Sequence, residues 1–472
     1  MAAIVTNKFR LNNAEQFYES FSEASTSFYL FVGRPQPWTV TTPFGGGTDT
    51  APPTPLDNVD DEYMYFRDMQ AAKRIAAADI QYAIPRHNWT TGTAYDYYRG
   101  DYGAQWSSTA SDIVKTENDG TNLWASTTLF YVLTSQNNVY KCMGNNGGAA
   151  STDEPSGTSN SEYTEGDLYV WKYMYTLTTT QITDFLTADF MPVTTNSTVS
   201  GAAIDGAVTQ YKVMRGGAGY TTGTYTAQTL RGDGSGGTFT LTVSGGAVTA
   251  VSSVAAGTGY TFGDLNIDAI SLIGTPSTSA IVTPIIGPKG GQGYNAVNEL
   301  GGFYIMTNTT ISGTEGGGDF VVDQDFRRVG IVLNPYNYGS STVATAATLN
   351  ALSSMTFSGT PGAFLADEPI SVTATGAVGK VVHFDSTTKI LKYIQTQWTG
   401  VKTTTGATQG DIIPFAASDT VVGGTSSATG TVASITNPEI AYYTGNTIYV
   451  EDRAPISRAT DQTENIKLIV EF

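Results

Sequence analysis

Apolar residues fall at every second position in Ile466, Leu468, Val470 and Phe472, a period that places them on one face of a β-strand running to the last residue. Elsewhere the apolar runs are short and broken by Gly, Asn, Ser and Thr, which predicts many strands joined by turns. Ile80 to Ile84 and Tyr169 to Leu177 read as strands, and Thr128 to Leu133 with Val139 to Met143 as a hairpin across Ser135-Gln136-Asn137-Asn138. Two segments near the start have helical spacing instead. Asn12 or Asn13 caps one that carries Ala14, Phe17 and Phe21, with Glu15 and Glu19 near the positive end of its dipole. The other runs from about Asp60 to Ala78, with Tyr63, Phe66, Met69, Ala72 or Lys73 and Ile75 as one stripe and Pro85 beyond its end. Both stripes predict core packing and no cofactor role. Gly144 to Gly166 has no period and predicts a surface loop.

From about Thr198 the pattern changes. Gly217-Ala218-Gly219-Tyr220-Thr221-Thr222-Gly223 recurs as Gly257-Thr258-Gly259-Tyr260-Thr261-Phe262-Gly263, each copy between apolar strands. Thr238 to Val243 and Ala247 to Val251 flank Ser244-Gly245-Gly246 as a hairpin. The glycines permit left-handed backbone, and each tyrosine ring is expected to pack over glycine backbone. A third Gly291-Gln292-Gly293-Tyr294 lies in different surroundings. Further on, Ile370 to Thr375, Lys380 to Phe384 and Lys389 to Gln395 are short strands, the last two joined by Asp385-Ser386-Thr387-Thr388, and Thr431 to Ile435 follows. The expected organisation is a main body over 1–196, 287–340 and 437–472, interrupted by β-modules at 197–286 and 341–436. The fold class is mainly β and multidomain, with antiparallel sandwich or barrel-like domains, two short N-terminal helices and inserted small β-modules.

Composition narrows the function. A chain of 472 residues has room for about three domains. Its formal charge of −18 argues against an electrostatic grip on nucleic acid, which needs Lys and Arg against phosphates. The single cysteine, Cys142, allows no intrachain disulfide or Cys-rich zinc cage and reads as a buried inert thiol. No apolar run is long enough for a membrane helix, and no secretion-signal pattern is present, so a chain used without export by its own signal is expected.

Catalytic groupings are weak. His87 and His383 lack metal-pair spacing and read as structural or surface residues. Asp323 with Asp325 lacks the Gly and distal Glu of a calcium loop, and Asp60-Asp61-Glu62 sits at a helix start where acids are favoured anyway. Gly232-Asp233-Gly234-Ser235-Gly236-Gly237 lacks the Lys-Ser/Thr ending of a phosphate loop and reads as a flexible hairpin tip. Arg231-Gly232-Asp233 is too short a match to argue adhesion. No catalytic, metal or cofactor residue is nominated, and no enzyme activity.

The densest polar motif stands before the final strand, where Glu451, Asp452, Arg453, Asp461, Gln462 and Glu464 surround Pro455 and Ile456. Arg453 is expected to make a bidentate pair with a nearby acid, and Pro455 to set a turn. An aromatic-Gly hairpin, an acidic-Arg-x-Pro-Ile turn, an Asp-Gln-Thr-Glu element and a hydrophobic last strand follow one another here, and together they resemble the baseplate wedge subunit of T-even-like contractile-tailed bacteriophages. Ala3 to Arg10 resembles that family's opening strand, and Gly33-Arg34-Pro35-x-Pro37-Trp38 its following turn. The Pro85-Arg86-x-x-Trp89 and Gly166 to Tyr173 segments, and the strand around Arg327, are similar as well.

What the resemblance implies is a non-enzymatic structural subunit of the virion tail baseplate, assembled in the host cytoplasm. It would form a homodimer, pack with other wedge proteins, support fibres and relay the sheath-contraction signal. Nucleic acid and membrane are not expected partners. Structural or subunit-contact candidates are Arg34, Pro35, Trp38, Arg86, Trp89, Arg327, Glu451, Asp452, Arg453, Pro455, Asp461, Gln462 and Glu464. The final strand is expected to return to the domain begun by Ile4 to Phe9. The rival reading is a receptor- or carbohydrate-binding tail component, with Tyr220 and Tyr260 stacking on sugars.

Overall fold

Strands dominate the computed structural model, which describes residues 5–39, 46–115, 123–125, 127–311, 324–396, 412–457 and 462–472. Several antiparallel sheets and five α-helices occur among these residues, a multidomain β architecture. The chain divides into two compact units. One comprises Met1–Glu15, Gln81–Met306 and Ile469–Phe472; the other comprises Gln16–Ile80 and Thr307–Leu468.

In the first unit, Tyr131–Leu133 and Asn138–Asn145 form the expected hairpin, with Leu133 opposite Val139 and Asn137 at φ 61° in the turn. Tyr169–Thr176 pairs with the second of these strands. It is buried on both faces, which explains why its apolar run is nearly continuous. Trp171, Tyr169 and Tyr140 are among the largest fully covered side chains. At the C-terminus Arg10 donates to Glu471 and to the Phe472 carbonyl, with its guanidinium 3.7 Å from the centroid of the Phe303 ring.

The duplicated motif lies in a module with a core of its own, built from Phe239, Leu241, Val243, Tyr220 and Tyr260. Gly223–Thr229, Ser235–Ser244 and Ala247–Thr258 form its sheet, and Gly245 and Gly246 turn the expected hairpin at φ 60° and 82°. In both copies the first glycine has a positive φ, and a Cβ added there would lie within 3 Å of the tyrosine of the same motif: 2.8 Å from Tyr220 at Gly217, 2.7 Å from Tyr260 at Gly257. The tyrosine rings therefore do cover glycine backbone, and only glycine fits beneath them.

The second unit is built on a five-stranded antiparallel sheet in the order Thr348–Asn350, Met69–Arg74, Phe28–Gly33, Asp325–Leu333, Asn446–Ser457. Its middle strand is buried throughout. Phe28, Leu30 and Val32 join one core with Phe326, Val329, Ile466 and Leu468, while Tyr29 and Phe31 join another with Tyr65, Phe66 and Val332. The same unit holds a closed six-stranded barrel of Ser353–Ser358, Ile390–Ile394, Val378–Asp385, Pro369–Ser371, Thr420–Gly423 and Thr429–Thr436. Met355, Phe357, Ile370, Val381, Leu391 and Val421 fill it.

Three expectations are corrected. Residues from Asn7 onward are helical, not an opening strand: the helix spans Asn7–Ser20, and Thr6 Oγ1 accepts the Phe9 amide at 3.2 Å as its cap, so Asn12 and Asn13 lie inside. The helix expected from Asp60 to Ala78 spans only Val59–Arg67, capped by Asn58, and Met69–Arg74 is a strand. That strand is buried on both faces through Ala72, so its spacing imitates a helical stripe. Finally, Pro455 is not in a turn. It lies within the 12-residue strand Asn446–Ser457, where the register with Asp325–Leu333 shifts between Phe326 and Arg328. This strand ends the sheet order, and an edge bulge tolerates a residue without an N–H.

Candidate functional site

The sheet of the second unit brings charged residues from four neighbouring strands to one level. Gly33 stands opposite both Met69 and Arg328, and Arg328 stands opposite Asp452. Arg34 and Asp68 adjoin these positions, and the Arg34 amide donates to the Asp68 carbonyl at 2.9 Å. Arg328, 6% exposed, donates from Nη1 to both oxygens of Asp68 at 3.1 and 3.0 Å, from Nε to Asp452 Oδ1 at 2.7 Å, and from Nη2 to Asp452 Oδ2 at 3.3 Å. Arg34 Nη1 lies 3.9 Å from Asp68. Two cations and two anions thus balance in a buried site.

Burial by itself would lower the Arg328 pKa, but the charges of Asp68 and Asp452 outweigh it and raise the value, so the cation is held. Its guanidinium is 4.4 Å from the centroid of the Tyr65 ring and 5.5 Å from that of Trp38, where a delocalised cation replaces hydration with π-contact. Each carboxylate oxygen of Asp68 and Asp452 accepts from Arg328, an arrangement suited to rigidity, whereas the buried Arg34 Nε has no hydrogen-bond partner among the described residues.

The same site fixes the Gly33–Trp38 turn. Arg34 takes a left-handed backbone at φ 56° and donates to the Pro37 carbonyl at 3.2 Å. Arg327 donates to the Pro35 carbonyl at 2.6 Å, to Asp325 at 2.9 Å and to both oxygens of Asp49 at 2.9 and 3.0 Å. Asp49 also accepts the Trp38 amide at 2.9 Å. The Arg327 hydrogen bonds, followed by that amide, hold its carboxyl below the usual range against burial. Trp38 Nε1 donates to the Arg453 carbonyl at 3.0 Å, and Gln36 reaches Asp367 at 2.7 Å. Gly33 is closely packed: an added Cβ would lie 3.0 Å from the Asp68 carbonyl oxygen, so that backbone would have to give by a few tenths of an ångström.

Of the nominated residues, Arg34, Pro35, Trp38, Arg327, Asp452 and Arg453 meet here. The bidentate pair expected of Arg453 belongs instead to Arg328, because Asp452 faces that residue across the ladder and Arg453 contributes its carbonyl. Glu451 accepts the Tyr449 hydroxyl at 3.1 Å. Gln462 is exposed, Glu464 opens the last strand, and Asp461 lies outside the described residues. Arg86 and Trp89 are in the first unit. Arg86 donates to Asn88 at 2.9 Å and to the Thr187 carbonyl at 2.8 Å, and Trp89 donates to Ser151 at 3.2 Å. His87 packs 4.9 Å from the ring of Tyr131 and its pKa is lowered by burial, which also pushes the Cys142 thiol up.

Sequence reading missed Asp49, Asp68 and Arg328. The available signal was two adjacent arginines inside the apolar run Phe326 to Leu333, since buried Arg must be paired. It also missed a second buried ion pair, Lys141 with Glu299, in the first unit. Gln292 accepts from the same lysine, and the amides of Gly293 and Asn295 donate to Glu299 at 2.9 and 3.2 Å, so the third Gly-x-Gly-Tyr serves this pair.

The rings nominated for sugar stacking are covered. Tyr220 is 4% exposed and Tyr260 2%, and their hydroxyls bond to Asp268 at 2.6 Å and to the Leu230 carbonyl at 3.3 Å. Neither offers a face to a glycan. The Gly232 to Gly237 segment is likewise anchored, because Asp233 accepts the amides of Thr261 and Phe262 at 2.9 and 3.2 Å. Arg231 pairs with Asp264. No group of three or more potential metal ligands occurs among the described residues.

Residues 3–114 match the family model described as Phage-Gp8, bacteriophage T4 Gp8. The match includes the Gly33–Trp38 turn, Asp49, Tyr65 and Asp68, whereas Arg327, Arg328 and Asp452 lie beyond it. It supports a structural role in a phage baseplate over part of the chain. No curated protein matches the sequence. None of the described helices is long and apolar enough to cross a membrane.

Proposed function

We propose that this chain is a wedge subunit of the tail baseplate of a contractile-tailed phage. It forms a homodimer, is assembled in the host cytoplasm, and packs with other wedge proteins into the structure that supports fibres and relays the contraction signal. The observation that carries this reading is the match of residues 3–114 to the Gp8 family model. Its extension to the rest of the second unit is supported by the turn at Arg34 to Trp38, which lies inside the match yet is held from outside it by Arg327, by the Arg453 carbonyl and by Arg328 packed over the Trp38 ring. An assembly protein that carries load needs domains that do not deform, and a buried ion network that ties four segments of one sheet together serves that need. The nominated subunit-contact residues that remain at the surface, Gln462 among them, are candidates for the interfaces. The test is to purify the chain, measure its mass in solution and mix it with the neighbouring wedge proteins of the same genome. A dimer that enters a wedge complex is expected; a stable monomer that joins none overturns the proposal.

A further inference from the structure

A groove of about 400 Å³ opens in the second unit between the sheet and the start of the Val59–Arg67 helix. One wall is Thr447, Ile448, Tyr449 and Val450 in succession. Alternate side chains of a strand point to opposite faces, and the register shift between Ile331 and Val332 leaves Ile448 as an extra, bulged residue, so these four consecutive residues line a groove that follows the edge of the strand. Asn446–Ser457 is the last strand of its sheet and pairs with Asp325–Leu333 on its other side. Among the described residues no strand pairs with its other side, so this wall presents backbone on an edge of the ladder.

The opposite wall is preformed. Tyr65 donates its hydroxyl to the Leu56 carbonyl at 2.7 Å, and Asn58 Oδ1 accepts the Asp61 amide at 3.0 Å, fixing the Pro55 to Asn58 segment against the helix. Leu56 and Ile448, one from each wall, are 47% and 42% exposed. Among the described residues of the lining, Asp57 and Glu62 are the charged ones, and no Lys, Arg or His joins them. Tyr65, in the groove lining, also packs on Arg328, so the groove abuts the ion network.

We propose that this groove binds an extended segment of another protein, one carrying alternating apolar and basic residues, which adds as a further strand along Thr447 to Val450. Main-chain hydrogen bonds to this edge supply affinity, Leu56 and Ile448 receive the apolar side chains, and Asp57 and Glu62 select Lys or Arg. A second copy of this chain is the poorer occupant. Its formal charge is −18, and a two-fold contact would bring the same carboxylates against each other. The inference does not rest on the wedge reading, because a synthetic probe tests it and wedge co-assembly is scored separately.

The experiment uses the full chain and a fluorescent peptide of alternating Val and Lys, with an alternating Val and Glu peptide as its control. The basic peptide should bind, weaken with salt and slow amide exchange at Thr447 to Val450, while the acidic one should not bind. Asp57→Lys combined with Glu62→Lys should weaken binding about tenfold or more, and Asp57→Asn with Glu62→Gln by an intermediate factor, the thermal midpoint falling by no more than the few degrees that loss of an acid from the helix start accounts for. No binding, equal binding by the charge-reversed protein, or binding without protection at Thr447 to Val450 overturns the proposal. A dimer of the free chain that the reversal dissociates, with no peptide bound, also overturns it and assigns the groove to a second copy.

Discussion

Arg328 and Asp452 face each other across neighbouring antiparallel strands, and the pairing is bidentate, Nε to Oδ1 at 2.7 Å and Nη2 to Oδ2 at 3.3 Å. The remaining Nη of Arg328 serves Asp68, so one guanidinium is shared by two buried carboxylates, with Arg34 near Asp68 as the second cation. Arg328→Ala leaves both without their main partner. Breaking such a site by removing one member costs about 3–5 kcal/mol, which corresponds to a fall of roughly 10 °C in the thermal midpoint for a unit of this size. Calorimetry of the full chain checks this. A shift within about 2 °C would mean that the network is solvated in solution.

Lys141 and Glu299 allow a cleaner partition. Both are buried, and Gln292 with the Gly293 and Asn295 amides completes their hydrogen bonding. Lys141→Met and Glu299→Leu are each expected to destabilise the first unit by about 3–5 kcal/mol, because each strands the other charge. The double variant should cost clearly less than the sum, with a coupling of about 2–3 kcal/mol in a denaturant-unfolding cycle. Additive losses would show that the two charges do not depend on each other.

Much of the β pattern was legible because it is local. Leu133 opposite Val139 follows from the turn between them, the Gly245-Gly246 hairpin from its left-handed glycines, and the burial of Ile466 and Leu468 from a period of two. The failures share a different cause. The Asp60 to Ala78 stripe reads as one helix until Asp68, whose partner Arg328 is 260 positions away. Arg453 stood beside Asp452 in sequence, yet ladder register gave that acid to Arg328. Neighbourhood along the chain cannot reveal a pairing set by strand order. The same holds for Lys141 and Glu299, 158 positions apart.

The barrel contains a pH-dependent contact. Glu368 Oε1 accepts the Leu365 amide and the Ser426 hydroxyl at 2.7 Å each, and Oε2 accepts the Thr425 and Ser426 amides at 3.0 and 2.8 Å. Burial alone would raise its pKa, but these donors outweigh it and hold the carboxyl below its ordinary 4.5. A depressed folded-state value contributes stability that is present above the unfolded value and lost as pH falls through the folded one. Glu368→Gln should therefore cost about 1–2 kcal/mol at neutral pH, and the gap between the two proteins should narrow as pH falls below the ordinary 4.5 and through the depressed folded-state value. Thermal midpoints measured across pH 3–7 test the sign: a gap that widens on acidification would refute the assigned charge state.

Tyr260 separates a structural role from a glycan-binding one. Its hydroxyl accepts the Gly237 amide at 3.1 Å and donates to the Leu230 carbonyl at 3.3 Å, and its ring lies against Gly234 and Gly257 within the module core. Tyr260→Phe removes the partner of a buried N–H while keeping the ring, so a loss of about 1–3 kcal/mol is expected. Tyr260→Ala also opens a cavity beneath the glycines and should cost about 3–5 kcal/mol. Hydrogen exchange over Ser235 to Thr258 in the full chain reads both effects, with the alanine variant less protected than the phenylalanine one. A surface ring that stacks on sugar gives the opposite pattern: glycan binding lost in Tyr260→Ala while exchange in the module stays at the wild-type level. That result would contradict the burial of Tyr260, because a core aromatic cannot be truncated without loosening the strands that cover it.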